Sequence, residues 1–412
     1  MKYGLIGEKL SHSFSKAIHE SLADYEYELV EIERNKLCEF LKKREFSAIN
    51  VTIPYKEEVI PNLDCVDEMA REIGAVNTVV NKDGKLFGYN TDFFGMSELI
   101  KHAKIEIKDK KVLILGSGGT SKTASAVVRS LGAKEVQKVS RSARDGAISY
   151  EDAYEKYSDA DVIINTTPSG MYPSIEGMPI YIDKFSCLSG VIDAVYNPLR
   201  TALVCKAKEK GIAAEGGLYM LVAQAVRASE IFLDRKYDDD TTDKIYRKIL
   251  KDKENIVLSG MPGSGKSTIG KLLAERLGRE FIDLDEVIVK SEGREITEIF
   301  AEGGESLFRD IETKAVRETA IVSGAVIATG GGAILRDENV RLLKQNGRIY
   351  FLDRPIEQLV PTSDRPLASS RDAIINRYNE RFPRYKSTCD FHLKTDGVAE
   401  RAVEKIIEDF EG

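Results

Sequence analysis

The sequence predicts an α/β protein in which short apolar strands alternate with amphipathic helices and form parallel sheets. The first observation is that strand-like and helix-like segments alternate along the whole chain. The others are a glycine-rich turn after an apolar strand at residues 116–121 and a second glycine-rich loop at residues 260–267. With 412 residues, the chain is long enough for two or three domains.

The composition is typical of a globular protein, with 42% hydrophobic and 31% charged residues. A net charge of −7 provides no basic surface for nucleic acid, so an anionic ligand needs local arginine and lysine clusters. The five cysteines form no C-x-x-C pair, which fits a cytoplasmic protein, and the four dispersed histidines indicate no zinc site. No apolar run approaches the roughly 20 residues of a membrane helix, and we expect no signal peptide.

The first 250 residues contain eight predicted strands, at 3–6, 27–30, 48–51, 75–79, 111–115, 136–139, 162–164 and 190–193. The strand at 111–115 enters the first glycine-rich turn and is followed by a helix, as in a βαβ dinucleotide-binding unit. Apolar periodicity predicts a long helix at 218–232. A second helix begins after the aspartates at 238–240, and the charged residues 251–254 indicate a solvated joint.

This order predicts three domains. The first α/β domain is expected to comprise residues 1–100 and 218–250, with the late helices returning to it. A Rossmann domain comprises residues 101–217. Residues 254–412 form a phosphate-loop domain around a central parallel sheet, whose strands include 256–258, 326–328 and 348–352.

The first glycine-rich turn reads G-x-G-G-x-S, with Ser121 where the dinucleotide-binding pattern has glycine or alanine. NAD-binding folds place a carboxylate after the next strand, whereas this strand is followed by Ser140, Arg141, Ser142 and Arg144. Cations and hydroxyls suit a 2′-phosphate, so we predict NADP(H), although Arg141 taken alone also fits an ordinary surface arginine. The predicted contacts in the turn are Gly116, Ser117, Gly118, Gly119 and Thr120.

The second loop reads G-x-x-x-x-G-K-S between an apolar strand and a helix that Gly278 can end. Glycines let the backbone N–H groups converge on nucleotide phosphates. Lys266 then reaches the β- and γ-phosphates, and the Ser267 hydroxyl holds Mg²⁺. The predicted ATP contacts are Gly263, Ser264, Gly265, Lys266, Ser267 and Thr268, and the alternative is an ordinary glycine-rich turn.

Seven motifs follow one another within residues 1–235: GEKLSHSFS at 7–15, NVTIPYK at 50–56, GAVNT at 74–78, GYNTD at 88–92, NTTPSGM at 165–171, DAVYNP at 193–198 and GLYMLVAQ at 217–224. Together they resemble shikimate dehydrogenase. The sequence departs from the usual family pattern at Lys16, Ser140 and Ala194, where proline, asparagine and methionine are common.

The resemblance implies that Ser13 and Ser15 bind the substrate carboxylate. It also implies that the ring hydroxyls are bound by Thr52, Asn77, Asp92, Tyr196 and Gln224. Lys56 and Asp92 would be the proton-transfer pair, and Gly217 would approach the nicotinamide. Reduction of a ketone builds an alkoxide, which a lysine beside a carboxylate can protonate if partly buried, whereas outside its motif Lys56 fits a solvated lysine. Ser15, rather than threonine, favours shikimate over quinate.

A second set of motifs lies within residues 254–411: FIDLD at 281–285, IFAEGGESLFR at 299–309, TGGGA at 329–333, DRPL at 364–367 and ERFPRY at 380–385. With the phosphate loop, this set resembles shikimate kinase. A D-x-D pair alone is also a common loop. Arg384 replaces the leucine usual in that family.

The second resemblance implies that Asp285 binds a shikimate hydroxyl and acts as the base, while Asp283 lies near Mg²⁺ through water. Arg309 and Arg381 would clamp the carboxylate, for which a guanidinium fork is well shaped. Gly331 and Gly332 would bring backbone N–H groups to the substrate. Arg365 would close over ATP from a lid at residues 361–370 and stabilise the transferring phosphoryl group.

These features predict a bifunctional enzyme that uses NADPH to reduce 3-dehydroshikimate and MgATP to phosphorylate shikimate. Two alternatives stay open. In the first, one half is a binding or regulatory module without turnover. In the second, both halves are enzymes, but the specificity has shifted to quinate in the first half or to a polyol acid such as gluconate in the second half. The sequence leaves the oligomeric state open, with a homodimer among the options.

Overall fold

The computed structural model describes residues 2–10, 13–144, 146–359 and 371–412. The chain divides into two compact units. Unit 1 comprises Met1–Asn197 and Leu203–Ile249, and unit 2 comprises Pro198–Ala202 and Leu250–Gly412. In the part of the chain that the structure describes, no helix combines the length and the apolar character needed to cross a membrane.

The first sheet of unit 1 has six strands in the order β2-β1-β3-β5-β6-β4. Its elements are β1 (Tyr3–Gly7), α1 (Ser15–Leu22), β2 (Tyr27–Glu31), α2 (Leu37–Lys43), β3 (Ala48–Val51), β4 (Cys65–Val66), α3 (Glu68–Ile73), β5 (Thr78–Lys82), β6 (Lys85–Tyr89) and α4 (Thr91–His102). Apolar side chains from the strands and from α2 form a core on one face.

The expectation of parallel pairing throughout is wrong for this sheet, because β5 runs antiparallel to both β3 and β6. A two-residue turn joins β5 to β6, with φ +52° at Asp83 and +80° at Gly84. Two consecutive left-handed residues define the hairpin turn that Asp-Gly favours. The predicted strand at 75–79 accordingly begins later, at Thr78.

The second sheet of unit 1 is parallel, with the order β12-β11-β10-β7-β8-β9. Its elements are β7 (Lys111–Leu115), α5 (Gly119–Ser130), β8 (Glu135–Val139), β9 (Ala147–Ile148), α6 (Tyr150–Lys156), β10 (Val162–Asn165), β11 (Gly190–Asp193), α7 (Ala202–Glu209) and β12 (Ala213–Glu215). This is the doubly wound arrangement that the glycine-rich turn predicts.

A long helix, α8 (Leu218–Leu233), packs against α4 and returns the chain to the first sheet. Gly95 permits this close approach, because a Cβ there would lie 2.7 Å from the carbonyl oxygen of Met220 and 3.0 Å from the Cβ of Gln224. Gln224 is thereby held against the first turns of α4.

The predicted solvated joint at residues 251–254 is wrong. Helix α9 (Thr241–Lys253) continues through most of it, and Glu254 is only 4% exposed. The Arg279 Nη1 donates to the Glu254 carbonyl oxygen at 2.7 Å, and the Arg348 guanidinium lies 3.4 Å from the Glu254 carboxylate. Arg200 Nη2 also donates to Glu254 Oε1 at 2.8 Å, so Arg200 and Arg348 compensate the burial of the carboxylate, while Arg279 binds the main-chain oxygen.

Unit 2 contains a five-stranded parallel sheet in the order β14-β15-β13-β16-β17, as the sequence predicts. Its elements are β13 (Asn255–Ser259), α10 (Lys266–Leu277), β14 (Phe281–Asp283), α11 (Leu284–Glu292), α12 (Ile296–Ala320), β15 (Val326–Ala328), α13 (Asp337–Asn346), β16 (Gly347–Asp353), α14 (Arg371–Thr388), β17 (Phe391–Lys394) and α15 (Ala399–Glu411). Helix α12 is kinked at Gly304, where φ is 66°.

Candidate active sites

A buried ion pair marks the candidate site of unit 1. Lys56 Nζ lies 2.6 Å from Asp92 Oδ2, with the two side chains 14% and 1% exposed. Asp92 Oδ1 is also buried but has no hydrogen-bond partner among the described residues. An unpaired buried carboxylate oxygen is costly unless a ligand completes it. The pair therefore offers one ammonium donor and one open acceptor to a bound molecule.

The Asn77 amide is fixed in one orientation beside this pair. Its Oδ1 accepts from the backbone N–H of Thr91 at 2.7 Å, and its Nδ2 donates to Gln224 Oε1 at 3.0 Å and to Thr91 Oγ1 at 3.1 Å. Because Gln224 Oε1 is engaged by Asn77, the amide NH₂ of Gln224 is its remaining polar group. These contacts join two of the predicted substrate residues, Asn77 and Gln224, to Thr91, which precedes Asp92 on α4.

Four more of the predicted substrate residues carry hydroxyl groups. The Ser15 N–H donates to Ser13 Oγ at 3.2 Å, and the Tyr196 hydroxyl also bonds to Ser13. Burial raises the pKa of Tyr196, while the bond to Ser13 lowers it, so the phenol is protonated at neutral pH. Thr52 is half-buried at the end of β3, and its N–H donates to Ile6 O at 3.0 Å. Hydroxyls are suited to a carboxylate or to ring hydroxyls.

The glycine-rich turn brings the start of α5 to Lys56. Gly116 has φ +116°, and a Cβ there would lie 2.7 Å from Thr166 Oγ1. A Cβ on Gly119 would lie 3.6 Å from the Cβ of Lys56. Ser121 is buried and donates from its hydroxyl to Gly116 O at 2.8 Å, so it serves in place of the third glycine. The free N–H groups at the start of α5 suit a dinucleotide phosphate.

The residues after β8 offer polar groups to a nucleotide. Ser140 is 7% exposed, and its hydroxyl oxygen has no partner within the described part of the chain. Arg141, Ser142 and Arg144 are exposed. An orphaned hydroxyl beside two exposed guanidinium groups fits a ribose 2′-phosphate. Gly217 has a packing role of its own, because a Cβ there would lie 2.2 Å from Ala194 O.

The candidate nucleotide site of unit 2 is the loop between β13 and α10. Gly263 and Gly265 have φ of 81° and 94°, and the Ser264 hydroxyl is buried without a partner among the described residues. Lys266 Nζ donates to the carbonyl oxygens of Gly260 at 2.9 Å and Met261 at 3.0 Å. The lysine thus folds back over its own loop, at the position from which phosphate oxygens can replace the carbonyls.

Ser267 and Asp283 form the candidate magnesium site. The Ser267 hydroxyl donates to Asp283 Oδ2 at 2.6 Å, and Asp283 Oδ1 accepts from the Asp285 N–H at 3.0 Å at the start of α11. No group of three or more acidic, histidine or cysteine side chains suited to a metal occurs within the described ranges. One hydroxyl and one carboxylate fit Mg²⁺, which retains water and takes phosphate oxygens as ligands.

A cavity of about 930 Å³ joins these groups to a set of arginines. Arg309 donates to Glu312 Oε2 at 2.6 Å and to Glu305 Oε1 at 3.0 Å. Arg381 donates to Gly331 O at 3.0 Å. The cavity is also lined by Thr268, Asp285, Gly331 and Gly332. A Cβ on Gly332 would lie 2.2 Å from Arg309 Nη2, so a side chain there would displace that guanidinium.

Comparison with known proteins identifies the first unit. Residues 5–79 match the family model for the shikimate dehydrogenase substrate binding domain. The NADP(+) shikimate dehydrogenase of Clostridium beijerinckii is 38% identical over 259 residues, which cover 59% of this chain and 96% of that protein. The chain belongs to the shikimate dehydrogenase family.

Solved structures agree with this membership. Shikimate dehydrogenase 1 from Peptoclostridium difficile is 35% identical, with a TM-score of 0.57 over 60% of this chain and 98% of that one. The Thermus thermophilus shikimate 5-dehydrogenase, solved with NADP(H) and shikimate, is 30% identical, with a TM-score of 0.54 over 60% of this chain and 99% of that one.

The second unit matches a different protein family. Residues 262–411 match the shikimate kinase family model. The chain therefore joins a shikimate dehydrogenase to a shikimate kinase domain. The α/β fold of both units and the presence of two enzyme domains confirm the sequence predictions.

Several residues of the kinase cavity escaped the sequence prediction. Glu312 is fully buried, burial raises its pKa, and its Oε1 has no partner among the described residues. The F-R-x-x-E spacing contained this signal, because residues three apart share a helix face. Arg354 and Arg377 were also missed, since nothing in their sequence context separates them from surface charges.

The structure describes Arg384, one of two further arginines named in the kinase motifs, but it does not describe Arg365. Arg384 departs from the usual leucine, and its Nε donates to Ile334 O at 2.8 Å while its Nη2 donates to Asp337 Oδ1. The substitution thus ties α14 to the start of α13. Arg365 and the lid predicted at residues 361–370 lie outside the described residues.

Proposed function

We propose that this chain reduces 3-dehydroshikimate to shikimate with NADPH and then phosphorylates shikimate at its 3-hydroxyl with MgATP. The observation that carries the proposal is the pairing of two domains whose families act on one compound. The product of the first reaction is the acceptor of the second, so the order of the reactions follows from their chemistry.

In the reductase, NADPH supplies the hydride when it is bound. Lys56 Nζ then donates a proton to the oxygen that becomes the new hydroxyl, and Asp92 Oδ2 holds that lysine in position. Asp92 Oδ1 accepts from a neighbouring ring hydroxyl, and the Gln224 amide NH₂ donates to another. Ser13, Ser15, Tyr196 and Thr52 bind the remaining polar groups of the substrate.

In the kinase, ATP with Mg²⁺ supplies the phosphoryl group when it is bound. Asp285 accepts the proton of the attacking hydroxyl. Arg309 and Arg381 orient the acceptor carboxylate, and Lys266 leaves its loop carbonyls to neutralise charge on the phosphates. Ser267 and Asp283 would hold the Mg²⁺ ion beside the nucleotide phosphates. Arg365 completes the phosphoryl site in this proposal.

We also propose the three-domain division given above, NADP contacts through residues 116–120 and 140–144, and a nicotinamide that lies by Gly217. A cytoplasmic location fits the chemistry of both substrates and cofactors. These assignments are supported by the helix start beside Lys56, the orphaned Ser140 hydroxyl and the folded-back Lys266.

One incubation tests the whole proposal. Full-length protein is mixed with 3-dehydroshikimate, NADPH and MgATP, and the products are identified by mass. We expect shikimate 3-phosphate, formed only when both cofactors are present. Shikimate alone would refute the kinase assignment, and no consumption of NADPH would refute the reductase. Parallel reactions with quinate and gluconate test the two specificity alternatives.

A further inference from the structure

A third guanidinium lies in the kinase cavity beside the two that clamp the acceptor. Arg377 is one helical turn before Arg381 on α14, and both line the cavity. Residues four apart on a helix share a face, so the two side chains approach the cavity from the same side. Neither the motifs nor the fold accounts for Arg377.

The three arginines differ in what they bind within the protein. Arg309 is held by the carboxylates of Glu305 and Glu312, and Arg381 by the carbonyl oxygen of Gly331. Arg377 makes no hydrogen bond or ion pair with any residue that the structure describes. A half-buried guanidinium without a hydrogen-bond partner has lost part of its hydration without replacing it. An anion bound in the cavity would supply the missing hydrogen bonds.

The charges around Arg377 place it in the acceptor half of the cavity. The groups that act on it are Arg381, Glu305, Glu380 and Arg309, and none of them belongs to the phosphate loop. Burial lowers the pKa of Arg377, and repulsion from Arg381 lowers it further. Of the two carboxylates among these neighbours, Glu305 already accepts from Arg309 through its Oε1.

We infer that Arg377 binds the acceptor carboxylate together with Arg381 and so sets the preference of this kinase for anionic acceptors. The inference rests on the proposed kinase function and deepens it. A carboxylate has two oxygens, which allow a guanidinium to bind from each side. Arg309, already held by two carboxylates, contributes to the same carboxylate site from a fixed position.

The test compares an anionic with a neutral acceptor in full-length protein. Arg377→Ala is assayed with shikimate and with its methyl ester, at saturating MgATP. We expect KM for shikimate to rise about 10- to 100-fold, as for loss of a charged hydrogen bond, with kcat within about twofold. KM for the methyl ester should not change. Arg377→Lys should fall between wild type and Arg377→Ala, because a point charge lacks the guanidinium fork.

Lys386→Ala is the matched control, since it removes the same charge from an exposed position on α14 outside the cavity. This variant should have wild-type kcat and KM values for shikimate, its methyl ester and ATP. Unchanged KM for shikimate in Arg377→Ala would overturn the inference, as would an equal rise for both acceptors or a rise confined to ATP. If wild-type protein failed to phosphorylate shikimate at all, the proposed function itself would fall, and the inference with it.

Discussion

The two sites hold their charged groups in opposite ways. In the dehydrogenase site, Lys56 and Asp92 already form their pair, with one carboxylate oxygen left open. In the kinase site, Lys266 bonds to carbonyl oxygens of its own loop, and Arg309 to two glutamates. The first site is assembled before substrate binds, whereas the second must exchange internal partners for ligand oxygens.

The difference follows from the charge that each site accommodates. In the proposed reduction the group beside Lys56 and Asp92 is a neutral carbonyl, whereas the substrate carboxylate is assigned to hydroxyls elsewhere, so Lys56 must be oriented and need not be released. The kinase must bind a triphosphate and a carboxylate, and the cations needed for them would repel one another in an empty cavity. In the empty site, carbonyl oxygens and glutamates of the protein accept the hydrogen bonds of these cations. The ligands must displace those acceptors, which lowers the affinity for the ligands.

The largest effect should come from breaking the preassembled pair. Lys56→Ala removes the proton donor, and we expect kcat for NADPH-dependent reduction to fall roughly 10³-fold, within the range for a general acid. Phosphorylation of added shikimate should stay at the wild-type rate. Lys122→Ala, which removes a lysine paired with Glu57 at 2.7 Å, is the matched control. Loss of both activities in Lys56→Ala would contradict two independent sites.

A somewhat smaller loss is expected from the folded-back lysine. Lys266→Ala should lower kinase kcat by roughly 10²-fold or more, because one preorganised donor to the transferring phosphoryl group is missing. Reduction of 3-dehydroshikimate should not change, and stopped assays with each substrate measure the two activities separately. Lys271→Ala, on the exposed side of the same helix, is the control. Kinase turnover at the wild-type rate would remove Lys266 from the mechanism.

The nucleotide preference of the reductase should shift less. Arg141→Ala removes one guanidinium from the proposed 2′-phosphate site, so the NADPH-to-NADH ratio of kcat/KM should fall about tenfold. The change should come from NADPH, with NADH nearly unaffected. Arg129→Ala, at the far end of α5, gives the control for a lost surface charge. An unaltered ratio would mean that another residue binds the phosphate.

The smallest effect concerns stability and is confined to the dehydrogenase half. His19 is buried, its ring stacks on Tyr27 at 4.0 Å, and its Nδ1 lies 2.6 Å from the Tyr25 hydroxyl. Burial lowers the pKa of His19 to about 3 from 6.5, against a hydrogen bond to Asn50 that raises it. His19 is therefore protonated near pH 6.5 in the unfolded chain but stays neutral at that pH in the folded chain.

Stability of this half should thus fall as the pH falls. Between pH 6.5 and 5.5 the free energy of unfolding should drop by about 1 kcal/mol more in wild type than in His19→Gln. Hydrogen exchange of α1 and β1 in urea at both pH values measures this difference, and exchange in the kinase sheet is the internal control. Equal pH dependence in the two proteins would show that His19 is protonated in the folded state.

Much of the fold could be predicted from local sequence. Strand and helix positions follow from apolar periodicity, and many turn conformations follow from glycines, which tolerate positive φ most easily. The reversed strand β5 was missed although Asp83 and Gly84 signal a hairpin, because alternation of strands and helices elsewhere suggested parallel pairing. The buried Glu254 was missed because Arg200 and Arg348, both distant in sequence, make the burial of its carboxylate tolerable.

The sequence by itself determined the two families, the element order and the residue types that each chemistry requires, because motif spacing and backbone preference are local properties. Tertiary structure decided which polar atoms remain open. Asn77 and Gln224, 147 positions apart, fix each other's amides, and Asp92 Oδ1, Glu312 Oε1 and the Arg377 guanidinium are left without partners among the described residues. Desolvation and hydrogen bonding depend on every neighbour in space, and the chain specifies those neighbours only once it is folded.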